Sequence, residues 1–257
     1  MNFLNIPGRP LGDAAIEAIF LVGKTGFICR QTWTQYFAKG SQRWGREQLS
    51  QLIKNNYLMS HQNAAGKDIF VLGIKGQQLL EQNGRGFVLP PMIDTISHDR
   101  VIMQSLLRLS QMGFVSKWQS ESELKKDNIS GLGLRVKNNA IKFPDATAII
   151  SMAGSDRQVA FEFERVRKSF SRYGEILFAY AQLQSFSLIL YICETDGIKA
   201  AIKKTLNEMQ RPNLENRIGF VDGTAWKENP ESAPITLRNG VVKLVDLCKN
   251  NSQKLAA

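Results

Sequence analysis

The sequence predicts an α/β chain of two domains, a helical one followed by a mixed sheet flanked by helices. Three observations carry this. Residues 9–86 repeat apolar side chains at helical spacing between short polar breaks, with a single pair of strand-like runs. From residue 97 onward, helical and strand-like runs alternate in the order αβββαβαβ, which builds an α/β sandwich. Between them, residues 84–97 (GRGFVLPPMIDTIS) hold the Pro90-Pro91 pair, which a helix interior excludes and which favours extended backbone before it. Domains are therefore expected at 9–86 and 97–247, with a linker over 87–96 and a polar flexible tail over 248–257.

The N-terminal elements follow in order. Over 11–22, Ile16, Ile19 and Phe20 share a helical face, with Gly23 and Gly26 expected to stop the helix. Residues 30–37 make a second short helix, broken at Gly40-Ser41. Residues 41–54 make a third, with Trp44, Leu49, Leu52 and Ile53 inward and Arg43, Arg46, Gln48, Gln51 and Lys54 on the other face. Tyr57-Leu58-Met59 and residues 68–72 flank a polar loop, a hairpin signal. A further helix over 73–82 closes the domain. Three helices, a hairpin and a helix is the order of a winged helix, a fold that lays its third helix in the DNA major groove. Arg43, Arg46, Gln48 and Lys54 are then the expected groove and phosphate contacts, and the loop 61–67, from His61 to Lys67, the wing. The alternative is a helical accessory domain with a solvated basic face.

Charge agrees with a nucleic-acid partner. Lys plus Arg number 33 against 23 acids, a net charge of +10 and a pI near 9.6. The longest apolar runs, 18–22 and 186–193, are too short to span a bilayer, so no membrane association is expected. The first residues lack the basic-then-apolar order of a signal peptide. Cys29, Cys193 and Cys248 lie far apart and write neither a disulfide framework nor a zinc knuckle. A cytoplasmic protein is expected.

In the second half, Val101, Ile102, Ser105, Leu106 and Leu109 set one face of a helix over 98–112, with His98 expected as its cap. Strands are expected over 114–118, 146–152, 158–165, 187–193 and 217–222, and helices over 169–182 and 197–209. Residues 120–128 read as a surface turn or short helix. The chemistry lies on two of these strands. Asp145 follows Pro144 at the start of one, and Glu162 and Glu164 stand two apart on the next, so both glutamates share a face. Carboxylates gathered in this way repel, and a hard divalent cation is their usual compensation. Mg²⁺ or Mn²⁺ held by Asp145, Glu162 and Glu164 would polarise a phosphate and activate a water. Lys168, just past the strand, is the expected charge-stabilising lysine. A solvated acidic face on an edge strand is the alternative.

The segment KFPDATAIISMAGSDRQVAFEFERVRKS resembles the core of the PD-(D/E)XK nuclease superfamily: a Pro-Asp, a gap, then an acid-x-acid strand. Residues 10–225 more narrowly resemble the replication-relaxation proteins and the MOB-C type of plasmid relaxase, a winged helix before a nuclease-like domain. WGREQLSQLIKNNYLMSHQ is similar to the third helix and wing, FVLGIKGQQLLE to the closing strand and helix, and His98-Asp99 opens the next helix. Glu164 stands where many of these nucleases carry lysine. The resemblance implies metal-dependent DNA nicking at an origin of transfer, with a coupling ATPase and other mobilisation proteins as partners. With only His61 and His98, the chain lacks the three-histidine site of tyrosine relaxases. Tyr173 and Tyr180, on the helix after the acidic strand, are possible accessory groups together with His98. Two other functions stay open: a non-catalytic DNA-binding regulator with a degenerate nuclease-like domain, and a restriction-type endonuclease.

Overall fold

The computed structural model describes residues 11–38, 40–61, 68–127, 132–137, 140–152 and 154–248. Among these residues it is a mixed α/β structure in two compact units that divide between Thr95 and Ile96.

The first unit opens with α1 (Asp13–Thr25), which packs its Ala18, Ile19 and Val22 inward. The expected stop at Gly23 does not occur. Gly23 lies inside α1, where a Cβ would sit 2.5 Å from Leu80 Cδ1, so glycine serves helix-to-helix approach. Gly26 ends the helix in the left-handed region at φ 82°, its N–H donating to the Val22 carbonyl. A strand absent from the sequence expectation, β1 (Ile28–Cys29), follows. Next come α2 (Arg30–Thr32) and a π-helical turn, Trp33–Phe37. The third helix, α3 (Gln42–Lys54), starts where Ser41 caps it by accepting from Trp44 N at 3.2 Å. Then β2 (Leu58–Ser60), β3 (Ile69–Leu72) and α4 (Ile74–Gln82) complete the unit. Its sheet has the order β1-β3-β2, antiparallel throughout. Trp44 does not point inward as expected but is 43% exposed, and Ile53 is half-buried. The inward contact is Gly45, whose carbonyl accepts from Trp33 Nε1 at 2.8 Å. The expected wing contact Lys67 and the rest of loop 62–67 lie outside the described residues.

Helix α5 (Ile93–Gln111) begins within the expected linker, at the third residue after Pro90, because proline restricts only the backbone at and before it. His98 is consequently inside the helix rather than its cap. The second unit continues with β4 (Val115–Ser120), α6 (Glu121–Asp127), a small hairpin of β5 (Leu134–Arg135) and β6 (Ile141–Lys142), then β7 (Ala146–Met152) and β8 (Ser155–Glu164). After these come α7 (Phe170–Gln182), β9 (Leu188–Cys193), α8 (Asp196–Met209), α9 (Pro212–Glu215), β10 (Ile218–Asp222) and α10 (Gly223–Glu228). The sequence expectation stopped at β10. A hairpin of β11 (Ile235–Leu237) and β12 (Gly240–Val242) and the helix α11 (Leu244–Cys248) follow. Cys248, expected in the tail, is buried at the end of α11.

The main sheet has seven strands in the order β12-β11-β10-β9-β8-β7-β4. Its centre, β8-β9-β10, is parallel and both flanks are antiparallel. Parallel neighbours need crossover helices, and α7 and α8 supply them. Both pack on one sheet face, where Ala160, Ile189, Tyr191, Ile218 and Phe220 meet Tyr173, Ile176, Leu177, Tyr180, Ile198 and Ile202. Glu162 and Glu164 alternate with Phe161 and Phe163 along β8, and so point to this same face. On the opposite face Phe161 meets Trp226 of α10, and Phe163 meets His98 of α5.

Candidate functional site

Strands β7 and β8 pair antiparallel with Ala146 opposite Phe161, so the same register carries Asp145 opposite Glu162. Asp145 stands just beyond the ladder, and its Oδ2 turns back to accept from Phe163 N at 2.7 Å. Helix α5 brings His98 to the same oxygen. His98 Nε2 lies 3.1 Å from Asp145 Oδ2 and 3.0 Å from the Phe163 carbonyl, and Nδ1 lies 3.0 Å from Asp99 Oδ1. Three acceptors around two ring nitrogens call for a donor at each, the imidazolium form. Burial works against that charge, but the bonds to Asp145 and Asp99 outweigh it and raise the His98 pKa to about 10. Burial likewise pushes Asp145 upward, but the His98 bond and the Lys142 charge bring it down to about 2.

Glu162 is 1% exposed and is satisfied from two sides. Lys142 Nζ donates to Oε1 at 2.8 Å and to Oε2 at 2.7 Å, and also to the Phe143 carbonyl at 3.1 Å. Tyr180 OH donates to Oε1 at 2.6 Å from α7. Burial raises the Glu162 carboxyl to about 7 against the pull of Lys142. Burial opposes the Lys142 charge too, yet the carboxylates of Glu162 and Asp145 hold this ammonium above its ordinary value. A lysine that sequence reasoning missed, Lys142, therefore stands at Glu162 of the acidic strand. Its one local signal is position: it ends β6 three residues before Asp145.

Lys168 instead binds both oxygens of Glu164, which is 2% exposed. Beside this pair, Tyr173 OH accepts from Lys168 N at 3.2 Å. Tyr173 and Tyr180 are both fully buried, with their hydroxyls spent on these contacts rather than turned to solvent. The structure thus makes two adjoining clusters. Asp145, Glu162, His98, Lys142 and Tyr180 form one, and Glu164, Lys168 and Tyr173 the other.

Among the described residues, no three His, Cys, Asp or Glu side chains are grouped to hold a metal ion. The expected three-carboxylate set is not assembled, because Glu164 is committed to Lys168. Asp145 and Glu162 stand opposite in the β7–β8 register, with both Glu162 oxygens accepting from Lys142 and Oε1 also from Tyr180. Two carboxylates are the donor type that Mg²⁺ or Mn²⁺ take, and a cation at Glu162 would have to displace the Lys142 ammonium.

The basic face of α3 is a separate feature of the first unit. Arg43, Arg46 and Lys54 are exposed, Arg43 in an i,i+4 pair with Glu47 at 2.9 Å. Gln48 departs from the expectation: it is half-buried, and its Oε1 faces inward without a hydrogen-bond partner. Exposed Trp44 stands on this helix next to Arg43, where the sequence reading had turned it inward. Among the described residues, no helix is long and apolar enough to cross a membrane. No family model matches the chain, and neither a curated protein nor a solved structure matches it.

Proposed function

We propose that this protein binds DNA through a winged-helix first unit and nicks it at a metal-dependent PD-(D/E)XK-type centre in the second. One observation carries the reading: the β7–β8 register sets Asp145 opposite Glu162, with Lys142 bound at the same strand ends. Within the sheet that holds them, α5, β4, β7, β8, α7, β9, α8 and β10 run in the expected αβββαβαβ order, with α6 and the β5–β6 hairpin inserted and β11 and β12 added. Asp145 and Glu162 would hold the cation, which would supply polarisation of a phosphate and activation of a water. Lys142 Nζ is a fixed positive charge beside them, suited to stabilise negative charge developing on phosphate. His98 orients Asp145 from α5 through Nε2 and is itself oriented by Asp99. The likeness to MOB-C relaxases makes an origin of transfer the proposed target, with a coupling ATPase and mobilisation proteins as partners.

A second reading has its own support. Glu162 and Glu164 each carry a lysine, so their charge is compensated by the chain itself. That suits a DNA-binding regulator in which the nuclease-like domain is a scaffold.

Supercoiled plasmid with the native origin, incubated with Mg²⁺, Mn²⁺ or chelator, separates these readings. Nicking predicts open circles with metal only, and at least 100-fold less product for Asp145→Asn and Glu162→Gln. Linear product would mark a restriction-type enzyme. No product while DNA binding stays intact would leave the regulator.

A further inference from the structure

The outer surface of α7 and α8 carries phenyl rings with cations placed against them. Phe170 is 39% exposed and Phe178 49%. The Arg167 guanidinium lies 5.2 Å from the Phe170 ring centroid, and Lys204 Nζ of α8 lies 5.0 Å from it. The Arg211 guanidinium, just past α8, lies 5.9 Å from the Phe178 centroid. These are two copies of one device, and topology explains their spacing. Both helices follow consecutive parallel strands and pack on one sheet face, so they run side by side in the same direction. From Phe170 to Phe178, α7 advances about 12 Å at 1.5 Å per residue. Lys204 on α8 and Arg211 just past its end keep step with the rings.

Residues 165–211 hold eight basic and four acidic side chains, a surplus that favours a polyanion. The acids nearest the seam are paired: Glu208 with Lys204 at 4.0 Å and Glu175 with Arg172 at 2.9 Å. The Lys204 pair is long and exposed, a class of contact that is weak and open to exchange for a phosphate. Exposed aromatic rings flanked by cations suit unpaired bases, since a duplex hides the base faces within its stack. At 3.4 Å per stacked nucleotide, the axial advance from Phe170 to Phe178 alone corresponds to roughly three or four bases. The seam opens at Phe170, just past the Lys168–Glu164 pair that closes β8.

We propose that the α7–α8 seam is a binding track for single-stranded DNA, with bases stacked on Phe170 and Phe178 and phosphates on Arg167, Lys204 and Arg211. The choice of DNA rests on the function proposed above; the single-stranded preference rests on the seam alone. The test is fluorescence anisotropy of full-length protein with labelled oligo-dT and with a labelled hairpin duplex. Chelator is present throughout, so the result does not depend on cleavage. Phe170→Ala combined with Phe178→Ala is expected to weaken oligo-dT binding at least tenfold and leave duplex binding within twofold. Both side chains are exposed, and circular dichroism checks that the fold is retained. Phe170→Trp and Phe178→Trp are expected to restore binding, with indole emission quenched by the stacked bases. Lys204→Glu with Arg211→Glu should lower the salt slope for oligo-dT by about 0.7 per lost contact. Oligo-dT affinity unchanged in the double alanine variant, or an equal loss on duplex, overturns the proposal.

Discussion

Lys142 and Glu162 show what a buried ion pair contributes and what breaking it costs. Removing one partner strands the other charge away from water, which typically costs about 3–5 kcal/mol. Lys142→Met is therefore expected to lower the denaturant midpoint sharply, and adding Glu162→Met to recover most of the loss. If Lys142→Met alone is harmless, Glu162 has another source of compensation. Tyr180 tests the same carboxylate from the other side. Tyr180→Phe removes a buried donor at the expense of about 1–3 kcal/mol, read in the same melt. His98 adds a pH dependence whose sign is set. Its pKa is raised in the fold, from 6.5 to about 10, by Asp145 and Asp99 against burial. Its stabilising contribution is complete below pH 6.5 and is lost as pH rises through about 10. The stability difference between wild type and His98→Gln should shrink across that window. A difference that grows with pH would mean that the folded imidazole is neutral.

Helix α3 and helix α1 show why glycine misleads at the element scale. Apolar counting turned Trp44 inward, but the helix docks through Gly45, where a Cβ would sit 2.6 Å from Ala38 Cβ and whose carbonyl accepts from Trp33. The same counting read Gly23 as a stop, although Leu80 fills the space a Cβ would take. Gly23→Val should overpack that contact and cost about 1–3 kcal/mol, measured by urea unfolding. The outward face of α3 carries the DNA prediction. Arg43→Glu with Arg46→Glu should weaken duplex binding and reduce the salt slope by about 0.9 per lost phosphate contact. Equal affinity and slope would remove α3 from the interface.

For the whole molecule, metal linkage is the relevant observable. A cation that binds only the folded protein adds about 2.7 kcal/mol at a hundredfold excess over its Kd. Mn²⁺ should then raise the melting temperature of wild type, and not that of Asp145→Asn. An equal rise in both would place the metal elsewhere. Such a readout needs no DNA, and so tests the Asp145–Glu162 pair apart from cleavage.

The sequence by itself determined the local periodicities and their consequences. Alternation on β8 set Glu162 and Glu164 on one face, and α5, β4, β7, β8, α7, β9, α8 and β10 were legible because each is longer than its period. Short pieces such as β1 and β5 offered two residues each and no period to read. Tertiary structure alone decided the partners. His98 meets Asp145 and Phe163 across sequence separations of 47 and 65, and Lys142 meets Glu162 across 20. It also decided that Lys168 serves Glu164, because one turn past β8 returns the lysine to its own strand end. Spacing fixes which face a side chain takes; which charge waits on that face depends on elements that only folding brings together.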